Sequence, residues 1–345
     1  VHSIAVAGHI CVDLTPELRA GEEPAPGQLV EVGPLAIRVG GSVANTGLVL
    51  ADLGAVVTPY ATIGADGLGA LLTGELHGRG LDTSHVAVSP EAATSYSVVV
   101  ERPGQDRTFW HHTGANVLFD GADVDSGSSG ILHVGYPPLL PALVTGGGAP
   151  LARLLARAQA AGVTTSVDLS VVDHTSAAGA VDWDSIFTAM CAHTDVLSPS
   201  LDDLTSALRI EEEFSIALVD RLAARFLAGG VAVVAISAGP HGLFLRTGTV
   251  ERFRSSGRAL ADVAHWADRS IDVPPVAVDD VVTTNGAGDA ASAGLLFAIA
   301  TGASLEEAGR LSVACSAAMI QGRRATPATI ATVIPELGGL LAAVR

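Results

Sequence analysis

From residue 131 onward, short apolar runs alternate with helix-period segments, and glycine closes one segment after another. Residues 131–134 read as a strand, 150–161 as a helix ended by Gly162, and 164–169 as a strand. Residues 183–191 read as a helix, 195–198 as a strand, and 214–227 as a helix ended by Gly229. The run 231–237 is continuously apolar and rich in β-branched residues, as expected of a strand buried on both faces. Such repetition constrains the chain to a parallel sheet covered by helices on both sides. The first third fits the same plan, with strands at 3–8 and 56–63, then the glycine cluster 64–69 and an amphipathic helix to Gly80. The segment 246–280 is irregular and charged, and the triple glycine Gly146, Gly147 and Gly148 reads as a loop.

Two segments stand apart. Residues 15–29 are rich in Pro, Gly and Glu and read as a surface loop, and 29–39 then alternates weakly, like an exposed strand. Residues 94–102 and 107–112 form a hairpin around Pro103-Gly104-Gln105-Asp106. Together they suggest a β flap on a single α/β domain spanning 1–345, its strands drawn from about 15–39 and 94–113. The adjacent His111 and His112 have no partner at metal-ligand spacing.

Two glycine-opened helices carry the chemistry. In Thr283-Thr284-Asn285-Gly286-Ala287-Gly288-Asp289, small residues and two glycines lead into the buried helix 290–299. Backbone N–H groups at a helix N-terminus form an anion site, and glycine lets a phosphate come close to the backbone. Asp289, expected to be ionised in the first turn, could take a proton from an attacking hydroxyl. The second helix opens at Gly40-Gly41 and carries Asn45 one turn in, where its amide could both donate to and accept from a polyol. Asp13 is expected just past the end of the first strand, where open α/β sheets bind ligands.

Composition removes several alternatives. All 19 basic residues are arginine, so a Walker A lysine and Schiff-base chemistry are both excluded. A net charge of −17 speaks against a nucleic-acid surface. No apolar run reaches the length of a membrane span without interruption, and no signal-peptide core stands at the start. Cys11, Cys191 and Cys315 are scattered without metal or redox spacing, which fits a reduced, cytoplasmic setting. Gly8-His9-Ile10 is not the glycine fingerprint of a dehydrogenase, and the cluster 64–69 has the wrong spacing for it.

Taken in order, these motifs resemble the PfkB/ribokinase-type carbohydrate kinases over nearly the whole chain. The family's C-terminal signature Asp-Thr-x-Gly-Ala-Gly-Asp is matched by 283–289, and its Gly-Gly followed by Asn is matched by Gly40, Gly41 and Asn45. Asp82-Thr83-Ser84 and the Gly239-x-x-Gly242 turn are also similar. The resemblance implies a ribokinase-like three-layer α/β fold, with a mostly parallel central sheet and a small β-sheet lid. It implies Asp289 as general base, with Gly286, Ala287 and Gly288 as the anion hole. It implies Asp13, Gly40, Gly41, Asn45 and Asn116 on the sugar, and Ser200, Ser237, Gly239, Gly242 and Thr284 on the nucleotide.

The implied activity is ATP-dependent transfer of the γ-phosphoryl group to an alcohol, with magnesium and with a possible homodimer through the lid. Thr283 stands where many members have an aspartate of a potassium site, which speaks against a potassium requirement. Ser200-Leu201-Asp202-Asp203 replaces the family's Asn-x-x-Glu, so the protein contacts of magnesium differ. An arginine common after the counterpart of Asp168 is missing. Lack of a Lys-Gly insert after Gly41 points to a fructokinase-like or 2-keto-3-deoxygluconate-kinase-like enzyme acting on a small sugar or sugar acid. A sugar phosphate would call for Arg38, Arg102 or Arg107 in the pocket. Tyr96, Phe109 and Trp110 could stack on a nucleoside, so a nucleoside kinase is an alternative. A non-catalytic sugar or nucleotide sensor is another.

Overall fold

Alternation along the first strand divides the core in two. In β1 (Ile4–Gly8), Ile4 and Val6 join one buried cluster, and Ala5 and Ala7 join the other. A strand buried on both faces needs helices above and below it. The structure, a computed structural model, describes residues 1–18, 26–100 and 108–342, so Arg102 and Arg107 lie outside it.

The further strands are β2 (Cys11–Pro16), β3 (Leu35–Gly40), β4 (Val57–Gly64), β5 (Val86–Ser89), β6 (Tyr96–Val100) and β7 (Thr108–His112). After them come β8 (Ile131–Gly135), β9 (Thr164–Asp168), β10 (Val196–Leu197), β11 (Val233–Ser237), β12 (Leu243–Thr247) and β13 (Ser270–Val273). Among the described residues they form a nine-stranded sheet, β13-β12-β11-β10-β9-β8-β1-β4-β5, and a separate four-stranded sheet, β3-β2-β6-β7. The large sheet is parallel from β5 to β11, while β12 and β13 add antiparallel.

The helices are α1 (Gly41–Leu53), α2 (Gly67–Gly78), α3 (Pro141–Ala160), α4 (Trp183–Cys191), α5 (Leu201–Leu208) and α6 (Ile216–Ala228). They continue with α7 (Val250–Arg254), α8 (Arg258–Ala261), α9 (Ala287–Thr301) and α10 (Leu305–Ile320). Helices α3 to α6 supply one core cluster; α1, α2, α8, α9 and α10 supply the other. Gly294 makes the closest α9–α10 contact possible, since a Cβ there would lie 2.8 Å from the Cα of Ser312.

Several expectations change. The segment 246–280 is not wholly irregular, because it contains α7, α8 and β13. Its last strand is defined by pairing with β12, and Arg246 bridges Asp220 and Asp272 there. The triple glycine is the loop expected of it: Thr145, Gly146, Gly147 and Gly148 are all non-helical and divide α3 into a short turn from Pro141 and the helix expected from 150. Asp13 does not sit in a turn after β1 but within β2, in the small sheet. Among the described residues no helix is long and apolar enough to cross a membrane, and all three cysteines are buried and unpaired.

The order of the large sheet fixes where ligands can enter. The chain steps from β1 to β4 and β5 on one side, then returns to β8 on the other. A crevice therefore opens beyond the C-terminal ends of β1 and β8, as such reversals require. Gly8 and Gly135 end these strands as register partners. A Cβ on Gly8 would lie 2.4 Å from the Gly135 carbonyl oxygen, and one on Gly135 would lie 1.8 Å from Ser42 Oγ. Glycine at both positions lets α1 close over the crevice.

Candidate active site

Each wall of the crevice comes from a different part of the chain. His9 follows β1, and Tyr136 follows β8 with a left-handed φ of 61°. Helix α1 enters through Gly40 and Gly41. A Cβ on Gly40 would lie 2.5 Å from Asp13 Oδ2, and one on Gly41 would lie 2.7 Å from His9 Nδ1. The N-terminus of α9 faces them, with Gly286 at φ 77° as its N-cap.

Asp289 is where these walls meet. It is fully buried in the first turn of α9. Tyr136 Oη donates to its Oδ2 at 2.7 Å and Asn45 Nδ2 to the same oxygen at 2.9 Å. Thr46 Oγ1 donates to Oδ1 at 3.2 Å. Burial raises the carboxyl's pKa, and the bonds from Tyr136, Asn45 and Thr46 only partly offset it. Desolvation outweighs these donors and holds the carboxyl above its ordinary range. Two further buried acids feel its charge. Asp168 is raised well above the usual carboxylate range, chiefly by burial, and Asp203 is pushed up to about 6 for the same first reason. A carboxyl held above its ordinary range is suited to proton transfer near neutrality.

The small sheet covers the crevice with one face. Its register lines up Arg38, Asp13, Ser97 and His111 across the four strands. Asn285 Nδ2 donates to Asp13 Oδ2 at 3.0 Å, and the His111 ring stands 5.3 Å from that of His9. Arg38 itself is exposed and borders an outer groove with Thr15, Glu17 and Thr283. The neighbouring row, Ile37, Leu14, Val98 and Trp110, lies on the opposite face, where Ile37 and Trp110 are exposed.

Asn116, expected on the sugar, is buried beside the β1–β2 link. Its Oδ1 accepts from the Ile10 amide and its Nδ2 donates to the Ile10 carbonyl, at 3.3 and 2.8 Å. That pair of bonds pins the β1–β2 link and uses one donor and one lone pair of the amide.

On the far side of α9, Gly288 is exposed, and a Cβ there would meet nothing within 4 Å. A small cavity beside it is lined by Ser198, Ser237, Ser292 and Ser312 with Ala235 and Leu295. Ser200 caps α5 through a reciprocal pair with Asp203 and bridges to Ser237. Thr284 is exposed just before α9. Gly239 is unobstructed, whereas a Cβ on Gly242 would strike the Val273 carbonyl at 2.2 Å, so Gly242 is needed for packing whatever else it does. The expected nucleotide-side residues thus lie on one side of the α9 N-terminus, and Asp13 and Asn45 of the expected sugar-side residues on the other.

His9, Tyr136, Thr46 and Asn285 belong to this site without having been picked out from the sequence. A signal existed for two of them. His9 and Tyr136 each directly follow a glycine at the end of a buried strand, the position where parallel sheets present functional side chains.

The chain matches the pfkB family of carbohydrate kinases over residues 1–331. Solved structures of similar fold include an Arabidopsis thaliana ribokinase with ribose and ATP, at TM-score 0.76 and 19% identity, over 96% of this chain and 98% of that one. A Methanocaldococcus jannaschii nucleoside kinase matches at TM-score 0.73 and 17% identity, covering 97% of this chain and 99% of its own. A Burkholderia thailandensis nucleoside kinase with inosine matches at 0.68 and 18%, over 96% and 99%. At these identities the likeness speaks for the fold.

Proposed function

Because this chain belongs to the pfkB family of carbohydrate kinases, we propose that it moves the γ-phosphoryl group of ATP onto a hydroxyl of a small sugar, with Asp289 as the base. The observation that carries this reading is the position of Asp289. It is a buried acid of raised pKa at the start of α9, one residue from the unobstructed backbone at Gly288. Phosphoryl transfer asks for positioning and charge stabilisation more than covalent chemistry. With no lysine in the chain, the backbone amides of Gly286, Ala287 and Gly288 carry much of that stabilisation.

The acceptor alcohol reaches Asp289 by taking over the bond that Tyr136 now makes to Oδ2. It gives its proton to the carboxylate as its oxygen attacks the γ-phosphorus, and the bond to the β-phosphate oxygen breaks. Asn45 and Thr46 hold the carboxylate in place. The small sheet keeps water, a competing acceptor, away.

The serine hydroxyls beside Gly288 line a water-sized gap next to exposed backbone, the side from which the phosphates of a nucleotide would approach. Magnesium fits as the nucleotide's companion, since it takes one or two carboxylates and keeps phosphate and water as its other ligands. Asp168 and Asp203 are the carboxylates that would serve it, and the ion would supply charge neutralisation at the phosphates. The exposed row of Ile37 and Trp110 on the outer face of the lid supports pairing of two chains through that sheet.

The test is turnover with ATP and magnesium against D-fructose, D-ribose, 2-keto-3-deoxygluconate, adenosine and inosine. Phosphorylation of a sugar is expected. Preference for a nucleoside overturns the choice of acceptor. Ligands that raise Tm without any turnover overturn catalysis in favour of a sensor.

A further inference from the structure

Among the described residues of the crevice, His9 is the one with buried side-chain polar atoms that the fold leaves unpaired. It is 2% exposed, and neither Nδ1 nor Nε2 has a hydrogen-bond partner. Its neighbours are all engaged: Tyr136 and Asn45 with Asp289, Asn116 with Ile10, and His111 with Ser97. Buried polar groups are almost always paired, and an unpaired one costs stability. A histidine kept at such a cost, in the crevice where the sheet order reverses, calls for a partner that arrives from outside.

The chemistry of that partner follows from the ring. Burial, with the nearby His111, holds the His9 pKa down to about 3, so the imidazole is neutral. A neutral imidazole offers one N–H donor and one bare nitrogen. A hydroxyl, which both donates and accepts, can satisfy either. A carboxylate or phosphate gains no charge attraction from this ring and meets the Asp289 carboxyl next to Tyr136. A flat base finds no parallel slot, because the His9 ring is tilted 51° to His111 and 31° to Tyr136.

We propose that His9 is a substrate-binding, specificity-determining residue whose neutral ring hydrogen-bonds one hydroxyl of an uncharged polyol lying between the lid and the ends of β1 and β8. The proposal rests on the reading of this crevice as the acceptor site. It further narrows the acceptor from sugar or sugar acid to a neutral sugar.

The experiment has two arms. In the first, wild-type protein without ATP is titrated with D-fructose, D-ribose and D-gluconate while the ring-nitrogen NMR signals of His9 are followed. A neutral sugar should shift them and gluconate should not. No shift with either neutral sugar, or an equal shift with gluconate, overturns the proposal. In the second, His9→Phe and His9→Gln are assayed on whichever neutral sugar is phosphorylated. His9→Phe should raise the sugar KM about 10- to 100-fold with the ATP KM unchanged. His9→Gln, which can still donate and accept, should recover part of the loss. A sugar KM within threefold of wild type in His9→Phe overturns the proposal. The first arm needs neither variant nor turnover, so it decides for His9 even if the kinase reading itself fails.

Discussion

Helices α1 and α9 open in the same way and do different things. Each follows a small-residue, glycine-rich entry, each begins with a positive-φ glycine, and each runs buried through the same half of the core. Around α1 the glycines are filled spaces: Gly40 lies against Asp13 and Gly41 against the His9 ring. Around α9, Gly288 faces open space, and the first turn holds an acid that α1 lacks. Gly40 and Gly41 bring protein against protein; Gly288 leaves room for something that is not protein. Similar motifs can therefore have opposite physical reasons, and the neighbours decide which applies.

The largest effect expected at the α9 end is chemical. Asp289→Asn should lower kcat by about 10³-fold or more, the combined scale of base and electrostatic terms, while acceptor binding survives. Single-turnover assays beside calorimetric titration measure both, and near-normal turnover would remove Asp289 from the reaction.

Alanine at the two glycines should then separate the helices by sign. Gly41→Ala puts a methyl 2.7 Å from His9 Nδ1 at φ 80°, at a cost of about 3 kcal/mol from strain and overpacking together. Gly288→Ala meets nothing within 4 Å and, as a helix residue, should gain up to about 1 kcal/mol while turnover falls. Thermal melts with parallel assays would show it. If both variants lose stability alike, the contrast between filled and open space is wrong.

Charge separates the two ends as well. An unfolded histidine takes up a proton near 6.5, and His9 does so only at about 3. Its stabilising contribution is complete above pH 6.5 and is lost as pH falls toward 3, about 2 kcal/mol of it by pH 5. The raised acids at the α9 end act in the other direction. Asp203 in the fold binds its proton up to about pH 6, so its contribution falls as pH rises from the unfolded carboxylate range through 6. Denaturant titrations across pH 5 to 7 should show His9→Phe losing less stability toward pH 5 than wild type. Parallel curves would mean that His9 does not hold its neutral form in the fold.

Much of the site could be read from the chain, and the reasons are local. The two glycines before Asp289 and the pair before Asn45 announce helix starts, and Gly54 and Gly302 mark their ends with left-handed φ. Ser304 and Glu307 announce a capping box that the fold contains. Other residues could not be read in this way. The Asn116 amide looks free until Ile10 lies beside it, 106 positions away. Asp289 reads as an ordinary helix-start acid until Tyr136, 153 positions earlier, closes over it.

Period and punctuation in the chain determined the layers, the glycine-opened helices and the acid among them, because those depend on residues a few positions apart. The fold alone decided that β1 and β8 lie side by side. From that followed the meeting of His9, Tyr136 and Asp289, the burial that raises one pKa and lowers another, and which glycines touch protein. Those properties arise from distance and desolvation between remote segments, which no local pattern encodes.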